Sequence, residues 1–400
     1  MRKLIKKTLL VLLALLIAIQ VPFIYRRYEI GQLANKIAVA DATRITRDDP
    51  KYKEYKGIIH AHTNLGGHST GSFDELIAAA NSNDLDFVLM TEHWADEYDT
   101  SALTLNGVYG KTLFIGGNEI DTADGDRFLM IPGSADAASL RKMSTSAVIE
   151  KLHAENRLAL ITYPEKFNSW DSDFDGDEVF SLHTNAVKMN PFTTLFDLLW
   201  SYRKYPAPMM ATYFRRPDEN LAKFDQIAAK RAISLFSGTD AHSNIGFHLF
   251  GDDAGHKVVN IKLDPYAVTF QLAREHVLVE KDRPLTRENL VEAIKRGHYF
   301  IGFDVLGDTT GFSFTAHTNE KTALPGDQID KSSELKIISP TPARFVFYKD
   351  GAIFATVEGV REHTETVSDP GVYRVEVYRD DLGSPFDKMP WILSNPIYVR

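Results

Sequence analysis

Between residues 57 and 303, short apolar runs alternate with amphipathic ones, and this alternation constrains the fold more than any other feature of the chain. The strand-like runs are Gly57–His60, Asp86–Met90, Thr112–Ile115, Arg127–Ile131, Ala159–Thr162, Val179–Leu182 and Ile233–Ser237. Helical periodicity marks Ser72–Ser82, Ser144–Asn156, Thr193–Tyr202, Asp218–Lys230 and Pro265–Val279. A last helix, Thr286–Arg296, stops at Gly297, a residue suited to a helix C-terminus. Strands and helices in alternation predict an α/β fold with a mainly parallel sheet, open or closed into a barrel. Such sheets carry their chemistry at the C-terminal ends of the strands.

Those ends hold metal-binding residue types. His60 and His62 close the first run, and His68 follows six residues on. Alternate side chains of a strand share a face, so His60 and His62 project together. Neutral imidazole is a common metal ligand; a solvated histidine cluster is the alternative for this motif taken alone. His93 ends the second run, in Met90-Thr91-Glu92-His93. Glu119 follows the third, in Gly117-Asn118-Glu119, and Asp240 and His242 follow the last, in Gly238-Thr239-Asp240-Ala241-His242. Five histidines and two carboxylates at one rim are costly to desolvate unless cations satisfy them.

In this order the motifs resemble the PHP family, named for polymerase and histidinol phosphatase domains, over roughly residues 57 to 303. The resemblance implies a distorted seven-stranded β/α barrel holding two or three divalent metal ions, Zn, Mn or Fe, with phosphoester hydrolysis the commonest activity. It assigns His60, His62, Glu119 and Asp240 to one metal and His68, His93 and His242 to another. Two positions depart from the family. Arg127 stands where a histidine usually follows the glutamate, and Tyr163 stands in Tyr163-Pro164 where the family has His-Pro. Arginine does not deprotonate, and tyrosine does so only near pH 10, so both are poor ligands. The expectation is two ions rather than three, with Arg127 supplying positive charge in place of the missing one.

On this reading a metal-activated hydroxide attacks an anionic phosphoester. Arg127 neutralises charge on phosphate, and the leaving group takes its proton from water, Lys166 or Tyr163. Ala293-Ile294-Lys295-Arg296-Gly297 before a β-rich region is reminiscent of a carbaryl-hydrolase-like subgroup. That makes hydrolysis of a carbamate, amide or carboxylic ester on the same metals the runner-up. A non-catalytic surface protein with structural metals is the reading from another class. Glu92 is either a carboxylate orienting an imidazole or a solvated loop charge.

Outside this region the chain reads differently. Arg2, Lys3, Lys6 and Lys7 precede an uncharged run from Thr8 to Tyr25, closed by Arg26 and Arg27. This reads as an uncleaved signal anchor over residues 1–27, N-terminus cytoplasmic and the remainder extracytoplasmic, periplasmic or at the cell surface. A removed signal peptide is the alternative, but no small-x-small site follows the run. Residues 28–56 read as a polar connector with a short helix around Ile30–Val39, and 57–303 as the metallohydrolase domain. Residues 304–400 hold short alternating runs at Phe312–Ala316, Leu335–Ile338, Arg344–Tyr348 and Val372–Tyr378, separated by turn signals. They predict a small antiparallel β-sandwich, a scaffold or a glycan- or protein-binding appendage.

Absence of cysteine removes disulfides, thiolate zinc sites and a cysteine nucleophile. A net charge of −9 argues against a nucleic-acid partner but not against a small or lipid-headgroup anionic substrate, because bound metals reverse the local field. His153 reads as a helix-surface residue and His183 as a candidate pocket residue. His248 is close enough to the Asp240 loop to reach substrate. His256, His276, His298, His317 and His363 have no partner motif. Arg215-Arg216 and Tyr202-Arg203-Lys204-Tyr205 read either as a grip for an anionic headgroup or as solvated helix faces.

Overall fold

The computed structural model describes residues 2–187, 189–244, 246–251, 257–330 and 333–400. The side chains of His183 and His248, and all of His256, lie outside that description.

The chain opens with one helix, α1 (Arg2–Thr43), which passes through Pro22 without ending. Its first half is apolar and exposed, long enough and apolar enough to cross a membrane. The residues expected as a polar connector continue this helix. Ile30 and Leu33 are buried, and Ile37 packs on the same core. Their i, i+3, i+7 spacing keeps one face of the helix on the body of the protein.

Eight strands then carry the ring of pairings that positions the site: β1 (Tyr52–Ala61), β2 (Phe87–Met90), β3 (Glu92–His93), β4 (Thr112–Ile115), β5 (Asn118–Asp121), β6 (Arg127–Ile131), β7 (Leu158–Thr162) and β8 (Gly176–Ser181). A ninth, β9 (Ser234–Ala241), completes it. β1 pairs in parallel with β2, and β2 with β4; β3 pairs in parallel with β5, so that His93 lies opposite Glu119. β6 is antiparallel to both β5 and β7. β7, β8, β9 and β1 then pair in parallel, which returns the ladder to its first strand.

Alternation along these strands separates two apolar layers. Ile59, Phe87, Leu89, Ile115, Leu129, Leu160 and Phe236 form one cluster. Their neighbours Ile58, Val88, Met90 and Phe114 pack on the helix α2 (Phe73–Ser82) through Leu76, Ala79 and Ala80. Ser72 caps α2 and Glu75 completes a capping box, which is why that helix starts where it does. Further helices are α3 (Thr145–Ala154), α4 (Pro191–Asp197) with a π-helical continuation Leu198–Tyr202, α5 (Pro206–Ala211), α6 (Asp218–Ala228) and α7 (Arg287–Lys295).

One predicted helix is not observed. Within Pro265–Val279 only Tyr266–Thr269 is helical, and Arg274–Glu280 forms a strand, β10. The half of β1 preceding His60 pairs antiparallel with β10, from Tyr52↔Glu280 to Gly57↔Glu275. β10 pairs with β11 (Tyr299–Gly302), which in turn pairs with Ile392–Ser394. Backbone pairing therefore runs continuously from the ring into the C-terminal strands. There the two expected short strands Leu335–Ile338 and Arg344–Tyr348 belong to one 17-residue strand, Ser333–Lys349, which pairs antiparallel with Ala352–Val367 and Gly371–Tyr378.

Charged contacts also join the two halves. Arg374 is buried and binds Asp225 of α6 and Glu376, while Arg216 donates to Glu376 at 2.8 and 2.5 Å. Arg216 is thus neither a headgroup grip nor a solvated residue. His153 is tied to Asp175 at 3.1 Å, in keeping with its place on a helix surface. His276 is fully buried between Glu54, Asp304 and Thr309.

Candidate metal centre

Six of the seven predicted ligands meet closely at the C-terminal ends of β1, β3 and β9 and at the start of β5, just past the C-terminal end of β4. His60 Nε2 lies 3.3 Å from Asp240 Oδ1 and 3.6 Å from Glu119 Oε2. His62 Nε2 lies 3.3 Å from Asp240 Oδ1 and 3.4 Å from Glu119 Oε2. Four ligands on bonds of about 2.1 Å at tetrahedral angles sit roughly 3.4 Å from one another. The observed separations match that spacing, and all four residues are buried.

His93 Nδ1 lies 3.3 Å from the same Glu119 Oε2. His62, His93 and His242 form a second group whose ring nitrogens lie within 4.8 Å of one another. The resemblance assigned His68 to this second set, with His93 and His242. His62 lies in that group, and His68 stands beside it, exposed on the cavity wall with its ring centroid 5.0 Å from that of His93.

His60 in β1 and His62 just after it do not meet by simple strand alternation. His60 has φ 74°, in the left-handed region, and the register of β1 shifts on both sides between Ile59 and Ala61. This irregularity re-aims the imidazole, as bulges beside active sites commonly do. Tyr163 and Asp240 also have positive φ, 53° and 44°.

Whether the residues fit a divalent ion can be judged from one nitrogen. His60 Nδ1 is 2.7 Å from Glu178 Oε1, which leaves Nε2 buried and without a hydrogen-bond partner. A carboxylate on one ring nitrogen and a lone pair on the other is the arrangement of a metal-ligating histidine. Two imidazoles and two carboxylates form an N/O donor set suited to Zn, Mn or Fe. The residues fit.

The titration behaviour of the cluster agrees. Burial opposes a charge on His60, yet Asp240, Glu178 and Glu119 together raise its pKa well above the usual histidine range. Burial instead lowers His62 and His93 to about 4 each, leaving neutral imidazoles. Glu119 is held at about 2, against burial, mainly by His60. Without a cation, the site draws a proton onto its central imidazole to offset the buried carboxylates.

The site faces a cavity of about 590 Å³. Arg127 binds Asp121 at 2.7 Å and lies 3.5 Å from Glu119, with its guanidinium 5.1 Å from the Tyr163 ring centroid. Tyr163 donates its hydroxyl to Asp240 Oδ2 at 2.7 Å, and burial with Asp240 pushes its pKa far up, so the phenol keeps its proton. Lys166 is exposed; it lies 5.7 Å from the Tyr163 ring and does not line the cavity. Glu92 is neither a partner of an imidazole nor solvated. Fully buried, it takes hydrogen bonds from the Thr63 amide and the hydroxyls of Thr63 and Thr104, and so braces the loop after His62.

Sequence reasoning missed Glu178 and Arg141. Glu178 had one visible signal: it forms, with Asp177, an acidic pair in a strand whose every residue is buried. Arg141 had none. It stacks 3.7 Å over Trp94 on the cavity wall, its Nε buried without a hydrogen-bond partner.

No family model and no curated protein matches the chain. Three solved structures are similar in outline. A two-domain protein from Bacteroides vulgatus ATCC 8482, containing a predicted PHP-like metal-dependent phosphoesterase, is 12% identical with a TM-score of 0.38, over 88% of this chain and 98% of that one. PsfC from Pseudomonas syringae PB-5123 is 14% identical with a TM-score of 0.35, over 60% and 87%. The lesion-specific endonuclease PfuEndoQ from Pyrococcus furiosus is 11% identical with a TM-score of 0.36, over 61% and 56%. At these identities and scores, what the chain does has to be argued from its own site.

Proposed function

We propose that this chain is a PHP-type metal-dependent hydrolase, most specifically a membrane-anchored phosphoesterase acting outside the cytoplasm. The closed ladder of β1 to β9 is read as the family's seven-stranded barrel, with β2–β3 and β4–β5 each counted as one interrupted strand. The observation that carries the proposal is the buried group His60, His62, Glu119 and Asp240, its ligating atoms within 4.8 Å of one another. That group opens on a cavity walled by Arg127 and Arg141.

His60, His62, Glu119 and Asp240 would hold one divalent ion, and His93 and His242, beside His62 and Glu119, a second. When bound, such ions acidify water and offset charge on a phosphate. The chain's own residues do the rest. Glu178 holds His60 by its Nδ1, fixing the tautomer that presents Nε2. Tyr163 holds Asp240 by its outer oxygen and leaves Oδ1 toward His60 and His62. Arg127 and Arg141 present guanidinium groups to the cavity, and planar forks of this kind match phosphate oxygens. Asp121 lies between them, 2.7 Å from Arg127 Nε and 3.8 Å from Arg141 Nη2, and keeps the two cations side by side.

The test is hydrolysis by the metal-loaded full-length protein of a phosphomonoester, a phosphodiester and a carboxylic or carbamate ester. Turnover of a phosphoester, lost with Asp240→Ala, supports the proposal. Preference for the ester or carbamate moves the chain to the runner-up activity. No turnover of any substrate by metal-saturated protein leaves a metal-stabilised surface protein.

A further inference from the structure

Helix α4 and its π-helical continuation carry an apolar face that nothing among the described residues covers. Phe192, Leu195 and Leu199 are 60%, 45% and 69% exposed, at i, i+3 and i+7 on one side. The adjoining side is fastened to α1, with Phe192 at the boundary between the two. Phe23 packs on Phe196 at 4.5 Å and Phe192 at 6.2 Å between ring centroids, and Trp200 Nε1 donates to Gln20 Oε1 at 2.9 Å. Just beyond, Arg26 grips the buried Asp197 with bonds of 2.9 and 2.5 Å, and Arg27 bonds the Trp200 carbonyl.

The heights of these contacts decide what covers the face. Gln20 and Phe23 belong to the apolar run of α1, not to the polar turns after it. If that run lies in a bilayer, the side chains packed on its last two turns lie at the hydrocarbon boundary with it. The bond to Trp200 also satisfies Gln20, the run's one side-chain amide, at a depth where water is scarce. Tyr25 and Tyr28 are exposed at the same level, where aromatic rings favour the headgroup region, and the exposed Arg203 and Lys204 end the helix.

We infer that the segment Pro191–Tyr202 is a second, interfacial membrane contact, lying along the bilayer surface beside α1 with Phe192, Leu195 and Leu199 inserted. The inference rests on reading α1 as a membrane anchor. It adds that the catalytic body is seated on the lipid rather than tethered above it. Residues flanking the segment, Leu182 before it and Met210 after it, line part of the metal-site cavity.

Absence of cysteine makes the test direct. Single variants Leu13→Cys, Leu199→Cys and Val108→Cys of the full chain are labelled with an environment-sensitive fluorophore and reconstituted in nanodiscs containing anionic lipid. Leu13 lies in the apolar run; Val108 is an exposed apolar residue on another element, the strand Gly107–Tyr109. The expected result is blue-shifted emission at both Leu13 and Leu199, with aqueous quenching several-fold weaker than at Val108. Protection at Leu13 but not at Leu199 overturns the inference and leaves the anchor standing; protection at neither overturns both. Protection at Leu199 that vanishes at one chain per disc assigns the face to a second copy instead, and overturns the membrane contact.

Discussion

Gly238→Ala tests how the fold prepares the metal site without touching a ligand. A Cβ at 238 would stand 1.4 Å from Glu178 Oε1 and 2.4 Å from its carboxyl carbon, where ordinary contact begins at 3.4 Å. The carboxylate must withdraw by about 2 Å, the difference between 3.4 and 1.4 Å. That breaks its 2.7 Å contact with His60 Nδ1 and its bond from the Thr162 hydroxyl. Losing such a partner of a ligating histidine lowers metal affinity roughly 10–100-fold, or about 1.4–2.7 kcal/mol.

The assay is competition for metal between the full-length protein and a chelator, with thermal melting of the metal-free protein as a check on the fold. A double-mutant cycle isolates the cause. With Glu178→Ala already present the added methyl has no carboxylate to displace, so the second substitution changes affinity little. Wild-type affinity in Gly238→Ala would refute the role given to Glu178. So would strict additivity of the two changes, because the methyl would then act by some route other than that carboxylate.

Metal analysis of wild-type protein should give two ions per chain, and the pair Arg127→His with Tyr163→His should raise the count by one; three tightly bound ions in the wild type refute the substitution of charge for metal. Arg127→Gln should lower phosphoester kcat/KM about 10–100-fold, the value of a charge-assisted hydrogen bond of roughly 1.5–3 kcal/mol, with metal content unchanged; an undiminished rate removes Arg127 from the reaction. Far from the site, burial opposes a charge on His276, but Asp304 and Glu54 overcome it and raise its pKa to about 9. Its stabilising contribution is complete below the unfolded value of about 6.5 and disappears as pH climbs past the folded one. The gap in urea midpoint between wild type and His276→Gln should therefore narrow from pH ~6 to pH ~10; a constant gap contradicts the pairing.

The positions of the clustered side chains were legible because metal chemistry restricts residue type and a parallel sheet restricts place. His60, His62, His93, Glu119, Asp240 and His242 satisfy both limits in one dimension. Glu178 does not, since its partner is 118 positions away and only the pairing of β8 with β9 and β9 with β1 brings them together. Arg141 owes its place to Trp94, another long-range contact. Local periodicity misled at Pro265–Val279, where pairing with β1 and β11 imposes a strand on residues that also suit a helix. It was also read too briefly in α1: the apolar stripe Ile30, Leu33 and Ile37 continues the N-terminal helix onto the protein body, where composition suggested a polar connector with only a short helix around Ile30–Val39.

Backbone conformation at the site gives a final test that separates geometry from charge. Seven non-glycine residues among those described have positive φ, and three of them, His60, Tyr163 and Asp240, meet at the candidate metal site, where Asp240 touches both of the others. A residue held so costs on the order of 1–3 kcal/mol and persists only where its surroundings over-determine it. Here they do: Thr239 bonds the His60 carbonyl at 2.7 Å, and β1 and β9 pair on both sides of the irregularity. Asparagine enters the left-handed region as readily as aspartate. Asp240→Asn therefore keeps the backbone and an oxygen for the Tyr163 hydroxyl, and replaces the charged oxygen facing His60 and His62 with a neutral NH2 group. Against burial, His60 and His62 hold the Asp240 carboxylate well below its usual range, so the variant's melting temperature without metal should fall with the lost charge, while affinity for the ion held with His60, His62 and Glu119 should fall steeply. Unchanged affinity would mean that the carboxylate charge is not spent on a cation, and the buried group at the end of β9 would need another explanation.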